Sequence, residues 1–220
     1  MQDYGYLSVF YERMPDLLGK LSEHIFLSGI SVLLGCLVAI PLGVLLIKTH
    51  IRWMKSLTFN ITNIFQTIPS IALLAMIATV LGFGTETAVM ALFLYSLMPI
   101  LKNTYAGFDS IDPQIIQSAE GMGYSPMQRL VQIEIPLALP YIMSGIRLTT
   151  VYIVSWAVLA GLIGGGGLGE LILAALSLND KPLIIASSVM AMILALVADF
   201  ILGKLEKAFT KSSNTEAQKI

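Results

Sequence analysis

Few side chains in this sequence are placed to do covalent chemistry. His24 and His50 stand alone, with no cysteine or second histidine at ligand spacing, and the single cysteine, Cys36, excludes an internal disulfide. The acidic residues are scattered through polar stretches, so no Ser–His–Asp triad or carboxylate pair can be assembled. Gly164-Gly165-Gly166-Gly167-Leu168-Gly169 fits the dinucleotide pattern G-x-G-x-x-G, but no strand precedes it. A flexible turn with close backbone approach is the expected role instead. No G-x-x-x-x-G-K-[ST] run occurs, so this chain cannot cradle ATP phosphates by that route. The residues point to no catalytic group, no metal site and no cofactor bound by this chain.

What remains is the chemistry of recognition and movement. Tyr152 and Trp156 are four residues apart, hence on one helix face, and an aromatic ring attracts a quaternary ammonium by about 0.5–2 kcal/mol. Helix packing is the plainer role for that pair. Asn60, Asn63, Gln66 and Thr67 precede Pro69 on successive turns. A proline removes one backbone hydrogen bond and kinks a helix, freeing carbonyls that need a polar neighbour. Asn63, Gln66, Pro69, Tyr152 and Trp156 are therefore the expected lining of a translocation path, with a packing kink as the simpler alternative. Asp199 lies near the end of an apolar run, where snorkelling or a local ion pair with Lys204 is expected and gating or interhelical pairing is the alternative, and Arg147 is expected to snorkel to the cytoplasmic face.

These residues sit in a chain with 56% apolar and 12% charged side chains and a mean hydropathy of +0.80. About twice that charge fraction is usual for a soluble domain. Residues 25–47 contain no Asp, Glu, Lys or Arg, and at ~1.5 Å per residue they reach about 35 Å, more than the ~30 Å hydrocarbon core. Such continuous runs imply helices rather than a barrel. The expected fold is an all-α membrane protein, a single domain over 1–220 with five spans at about 25–47, 57–81, 87–105, 139–163 and 183–203. The third run is short and must recruit Lys102 to Tyr105. A sixth element over Tyr4–Lys20 is disfavoured by its charges, and no cleaved secretory leader is expected. The stretch 204–220 reads as a polar tail, disordered from Thr210.

Lys and Arg set the orientation. Lys48, Arg52, Lys55, Lys102, Arg129, Lys204, Lys207, Lys211 and Lys219 fall on one side, and only Arg13, Lys20 and Lys181 on the other. The N-terminus is therefore expected outside the cell membrane and the C-terminus in the cytoplasm.

The stretch 106–136 is then a cytoplasmic loop. Asp112-Pro113 reads as an N-cap and first helical position, Gly121 and Gly123 bracket Met122, and Ser125-Pro126 restarts a helix to about Val131. The result is a helix–turn–helix elbow outside the bilayer, shaped to dock on a soluble partner. Gly123 is expected at the turn because a large side chain would not fit there.

Gln117-Ser118-Ala119, Gly123 and Ile133-Glu134-Ile135-Pro136 resemble, with matching spacing, the Glu-Ala-Ala, Gly, Ile-x-Leu-Pro signature of methionine-permease-like ABC importers. Gln117, Ser118 and Ile135 depart from it. Gln66 to Leu73, Pro99 to Gly107, Gly121 to Gly123 and Gly161 to Gly169 are similar to stretches of the glycine betaine, carnitine and choline branch, and the likeness covers most of Leu27–Phe200. The resemblance implies a type I ABC importer permease. Its coupling loop (Gln117, Ser118, Ala119, Glu120, Gly121, Gly123, Ile133, Ile135, Pro136) would seat on an ATPase subunit, with Glu120 as the replacement carboxylate for Gln117. ATP and magnesium would lie on that partner. It also implies a second permease, identical or related, an extracytoplasmic solute-binding protein, surrounding lipid and no nucleic acid. Another solute of the same branch, such as ergothioneine or an amino acid, is the first alternative. An ion-coupled secondary transporter is more distant, since it would need inverted repeats and an ionisable midplane group. A membrane enzyme would need a clustered polar site.

Overall fold

The computed structural model describes the backbone of residues 10–217 and the side chains of residues 10–210, and every regular element among them is helical. In chain order these are α1 (Met14–Lys48), α2 (Arg52–Thr67), α3 (Ser70–Leu81), α4 (Thr85–Asp109), α5 (Pro113–Gly121) and α6 (Pro126–Arg129). A π turn (Leu130–Glu134), α7 (Ile135–Trp156), a 3₁₀ turn (Ala157–Ile163), α8 (Leu168–Leu178) and α9 (Lys181–Ala217) follow. Four units are long and apolar enough to cross a bilayer: Met14–Lys48, Thr85–Asp109, Pro126–Ile163 and Lys181–Thr210. α2 and α3 form a fifth, bent by 101°. The chain is a bundle of four apolar helical units long enough to span a bilayer, with the bent pair α2–α3 as a candidate fifth.

Several elements outrun the apolar runs that announce them. α1 has 35 residues, about 52 Å at ~1.5 Å each, so its polar first turns stand beyond the run that begins at Ile25. α4 takes in Lys102 to Tyr105, as a short apolar run requires, and continues to Asp109. The second helix of the elbow does not stop near Val131; it continues through the π turn into α7. α9 runs to Ala217, so the stretch from Thr210, expected to be disordered, is helical through that residue. Residues 4–9 of the disfavoured Tyr4–Lys20 element, and residues 218–220 of the tail, lie outside the described residues, and Met14–Lys20 forms the first turns of α1.

The centre of the bundle is a seam of small residues. Ser31, Gly35, Ala39 and Gly43 recur every fourth position on α1, and all four are buried. They face α4, which runs parallel: a Cβ on Gly35 would collide with Ser96 Oγ, and one on Gly43 would sit 2.7 Å from Thr104 Cγ2. In a bilayer, where lipid is as apolar as leucine, helices associate through such close approach. α7 grips the other side of α4, with Gly145 against Asn103 and Gly107 against the Ala138 carbonyl. Apolar layers cap the two ends: Leu27, Ala78, Ala88, Ala160 and Ile163 at one, Phe108, Ile111, Ala138 and Ile142 at the other.

α9 is peripheral and exposes Met192, Ile193, Leu196, Val197, Phe200 and Ile201. Its polar tie to the bundle takes the interhelical alternative for Asp199 rather than the local pair with Lys204. Arg147 on α7 forks onto Asp199 at 2.7 and 2.9 Å and donates a further bond to Glu206 at 2.9 Å. Arg147 therefore points across to α9 rather than snorkelling alone, while Lys204 lies 4.4 Å over the Phe200 ring.

Gly35→Leu should destabilise the bundle by about 1–3 kcal/mol through overpacking. Thermal unfolding in detergent checks this: the midpoint should fall for Gly35→Leu and hold for Gly29→Leu, because a Cβ on Gly29 meets nothing within 4 Å.

Candidate functional site

The elbow is built from local capping. The Asp112 carboxylate accepts the Gln114 N–H at 2.8 Å, with Pro113 at the first helical position of α5. α5 closes in a Schellman motif: Gly123 N–H donates to Glu120 O at 3.0 Å and Tyr124 N–H to Ala119 O at 3.1 Å. Gly123 sits at φ +85°, yet nothing lies within 4 Å of a Cβ built there. Its requirement is backbone conformation, and the expected lack of space is not the reason. Ser125 and Gln128 form a reciprocal capping box that starts α6.

Burial divides the signature residues in two. Gln117, Ser118, Glu120, Gly121 and Gly123 are exposed, together with Met122 and Met127. Ala119 and Ile133 are buried, and Ile135 and Pro136 half-buried, so these hold the elbow to the bundle. A hollow of about 320 Å³ lies between α5 and the π turn, lined by Asp112, Gln114, Ile115, Ser118, Met122 and Ile133. Beneath it runs a chain of charges. Glu134, 2% exposed, accepts from Lys48 at 2.7 Å and from Arg129 at 2.8 Å, and Arg129 also pairs with Glu120. Glu120, expected to stand in for a carboxylate at Gln117, is thus engaged within the elbow itself. Glu134 carries no periodic signal in an otherwise apolar stretch, which is why sequence reasoning passes over it.

The pass expected as one kinked span is broken outright after Thr67, with Ile68 and Pro69 extended between α2 and α3. Tyr95 of α4 closes the break: its hydroxyl donates to Ile68 O at 2.5 Å, and its own carbonyl accepts from Gln66 Nε2 at 2.8 Å. That carbonyl is free because Pro99, four residues on, has no N–H. Trp156 packs against Tyr95 with ring centroids 4.6 Å apart, and Tyr152 stacks on Trp156 at 5.8 Å. The structure thus brings Gln66, Trp156 and Tyr152 together through Tyr95. Asn63 stays apart on the exposed face of α2 with Ser56, Asn60 and Thr67, and Pro69 ends the break as the residue before α3.

At the end opposite the elbow, the glycine run makes hydrogen bonds to α1 and to its own turn. Gly164, Gly166 and Gly167 have φ of +67°, +85° and +75°. The Glu23 carboxylate accepts the Gly167 N–H at 2.9 Å, and Lys20 bridges Glu23 and Glu170 at 2.9 and 2.7 Å. His24, expected to stand alone, is buried with Nε2 2.9 Å from the Val154 carbonyl.

Residues 31–211, which hold the elbow, the broken polar pass and the glycine turn, match the family described as "binding-protein-dependent transport system inner membrane component". The chain belongs to this family. It is a permease component of a transport system, with transport rather than catalysis as its work. It is 45% identical over 195 residues to the choline transport system permease protein OpuBB of Bacillus subtilis, covering 89% of each chain. It is 42% identical over 212 residues to the carnitine transport permease protein OpuCB of Listeria monocytogenes, covering 96% of each. Its fold is that of the inward-facing MetNI methionine ABC transporter (TM-score 0.79, 25% identity, 90% of this permease and 98% of that chain). An amino acid ABC transporter crystallised with histidines also shares it (TM-score 0.76, 19% identity, 94% and 100% of the chains).

Tyr95→Phe should leave the Ile68 carbonyl unsatisfied, destabilising the permease by about 1–3 kcal/mol. Hydrogen exchange should quicken at the amides of residues 70–74, whereas Tyr152→Phe should leave it unchanged.

Proposed function

We propose that this permease is one half of the membrane path of an ATP-driven importer for a small zwitterionic or quaternary-ammonium osmoprotectant such as glycine betaine, carnitine or choline. The observation that carries the transport mechanism is the elbow, whose buried residues anchor it and whose exposed Gln117, Ser118, Gly121, Met122 and Met127 face outward. An ATPase subunit docks there, and ATP and magnesium belong to that subunit. The solute class rests on kinship with permeases named for choline and carnitine.

A second permease, identical or related, covers the polar stripe of α2. Ser56, Asn60, Asn63 and Thr67 fall at spacings of four, three and four residues and are exposed. Such groups are unfavourable against hydrocarbon, so they face water or protein. Tyr152, 44% exposed on α7, adds an aromatic face suited to passing a quaternary ammonium. A separate binding protein delivers solute to the glycine-turn end. The distribution of basic residues supports the reading with that end and the N-terminus outside and the C-terminus in the cytoplasm. Closure of the ATPases on ATP draws the elbows together and tilts the passes, and hydrolysis resets them. The coupling is reciprocal, so delivered solute favours the ATP-bound state.

Gly123→Arg should insert normally but lose most ATP-dependent uptake in reconstituted vesicles, because an arginine strains the left-handed position at the elbow; wild-type uptake would sink the role of the elbow. Calorimetry of the cognate binding protein should show heat with glycine betaine, carnitine or choline. Binding of ergothioneine or an amino acid alone would move the permease to a different solute.

A further inference from the structure

Glu134 has a geometry that docking alone does not explain. It is buried at the junction of the elbow and α7, and it accepts from two cations on different elements, Lys48 in the last turn of α1 and Arg129 in α6. Arg129 and Glu134 are five residues apart. On an α-helix, positions that far apart point about 140° away from each other. The π turn over Leu130–Glu134, with Ile135 N–H bonded to Leu130 O, brings positions five apart onto one side, and the two side chains meet at 2.8 Å. Pro136, without an N–H, cannot supply an ordinary α-helical bond to Gln132 and favours the wider turn. Arg129 then reaches Glu120 at the end of α5. Among the described residues, Lys48–Glu134 is the one salt bridge that joins the elbow to another pass.

We infer that Glu134 is a positioning residue that locks the elbow to the cytoplasmic end of α1, so that a displacement of the elbow moves α1 and α7 together. The inference rests on the elbow being the ATPase contact. A buried carboxylate between two cations resists being parted from either, because each separation leaves an uncompensated charge. The elbow then turns as a lever fixed at two points rather than as a flap hinged on α7. The seam of small residues carries the same displacement from α1 into α4.

The test uses the full assembly in vesicles, with permeases, ATPase subunits and loaded binding protein, and reads solute imported per ATP hydrolysed. Glu134→Gln keeps the shape and removes the charge. It should keep the ATPase subunits bound and hydrolysing while the ratio falls by about tenfold. Lys48→Gln, whose side chain is 40% exposed and not needed for burial, should lower the ratio alike, and the double variant should be no worse than either single one. A wild-type ratio in Lys48→Gln or Glu134→Gln, or losses that multiply in the double variant, would overturn the inference. Loss of the ATPase subunits from Glu134→Gln alone would also overturn it, showing that the residue merely shapes the docking surface. Failure of the wild-type permease to retain ATPase subunits would instead remove the elbow reading, and this inference with it.

Discussion

The close approach of α1 and α4 is the constraint on which the other positions depend. Two helices can draw this near only where side chains are absent or small, and Ser31, Gly35, Ala39 and Gly43 keep that strip clear over three turns. With α4 fixed by α1 on one side and by α7 on the other, Tyr95 stands where it can reach the broken pass, and Asp109 where it can hand the chain to the elbow. A methyl group at Gly35 would already press on Ser96. The tolerance of the whole arrangement is therefore set by a few ångströms at its centre.

Around that centre the polar groups divide by end. The glycine turn, Glu23, Lys20 and Glu170 brace one end, and Lys48, Glu134, Arg129 and Glu120 brace the other. Between them the broken pass is satisfied by hydrogen bonds from a single neighbour. Tyr95 gives a hydroxyl and receives an amide, so the two loose ends created by the break and by Pro99 cancel each other. Buried polar groups in hydrocarbon need such closure, since no water is at hand to supply it.

Hydrophobic run length made the long apolar helices legible, because a chain crossing lipid must hide its backbone amides and does so in such helices. The elbow was legible for a local reason: Asp112-Pro113, Gly123 and Ser125-Pro126 act within a few residues of themselves. The features that escaped depend on distant partners. Whether Pro69 kinks or breaks its helix is decided by a hydroxyl on Tyr95, and the partner of Asp199 is Arg147 rather than the nearer Lys204. Ser31, Gly35, Ala39 and Gly43 did carry a period-four signal. Inside an apolar run, small residues look the same whether they face lipid or another helix. Glu134 looked like one more loop acid until the π turn placed it under the elbow.

The break at Ile68 and Pro69 has an electrostatic consequence. The peptide dipoles of α2 end there with the partial negative charge of a helix C-terminus, about half a charge, and those of α3 begin there with the partial positive charge of a helix N-terminus, about half a charge. The two ends are joined through Ile68 and Pro69, and the helices are bent by 101°. Their monopoles offset, so an ion of either sign gains little at a distance. At contact range, the same spot presents a fixed local field with a positive and a negative pole.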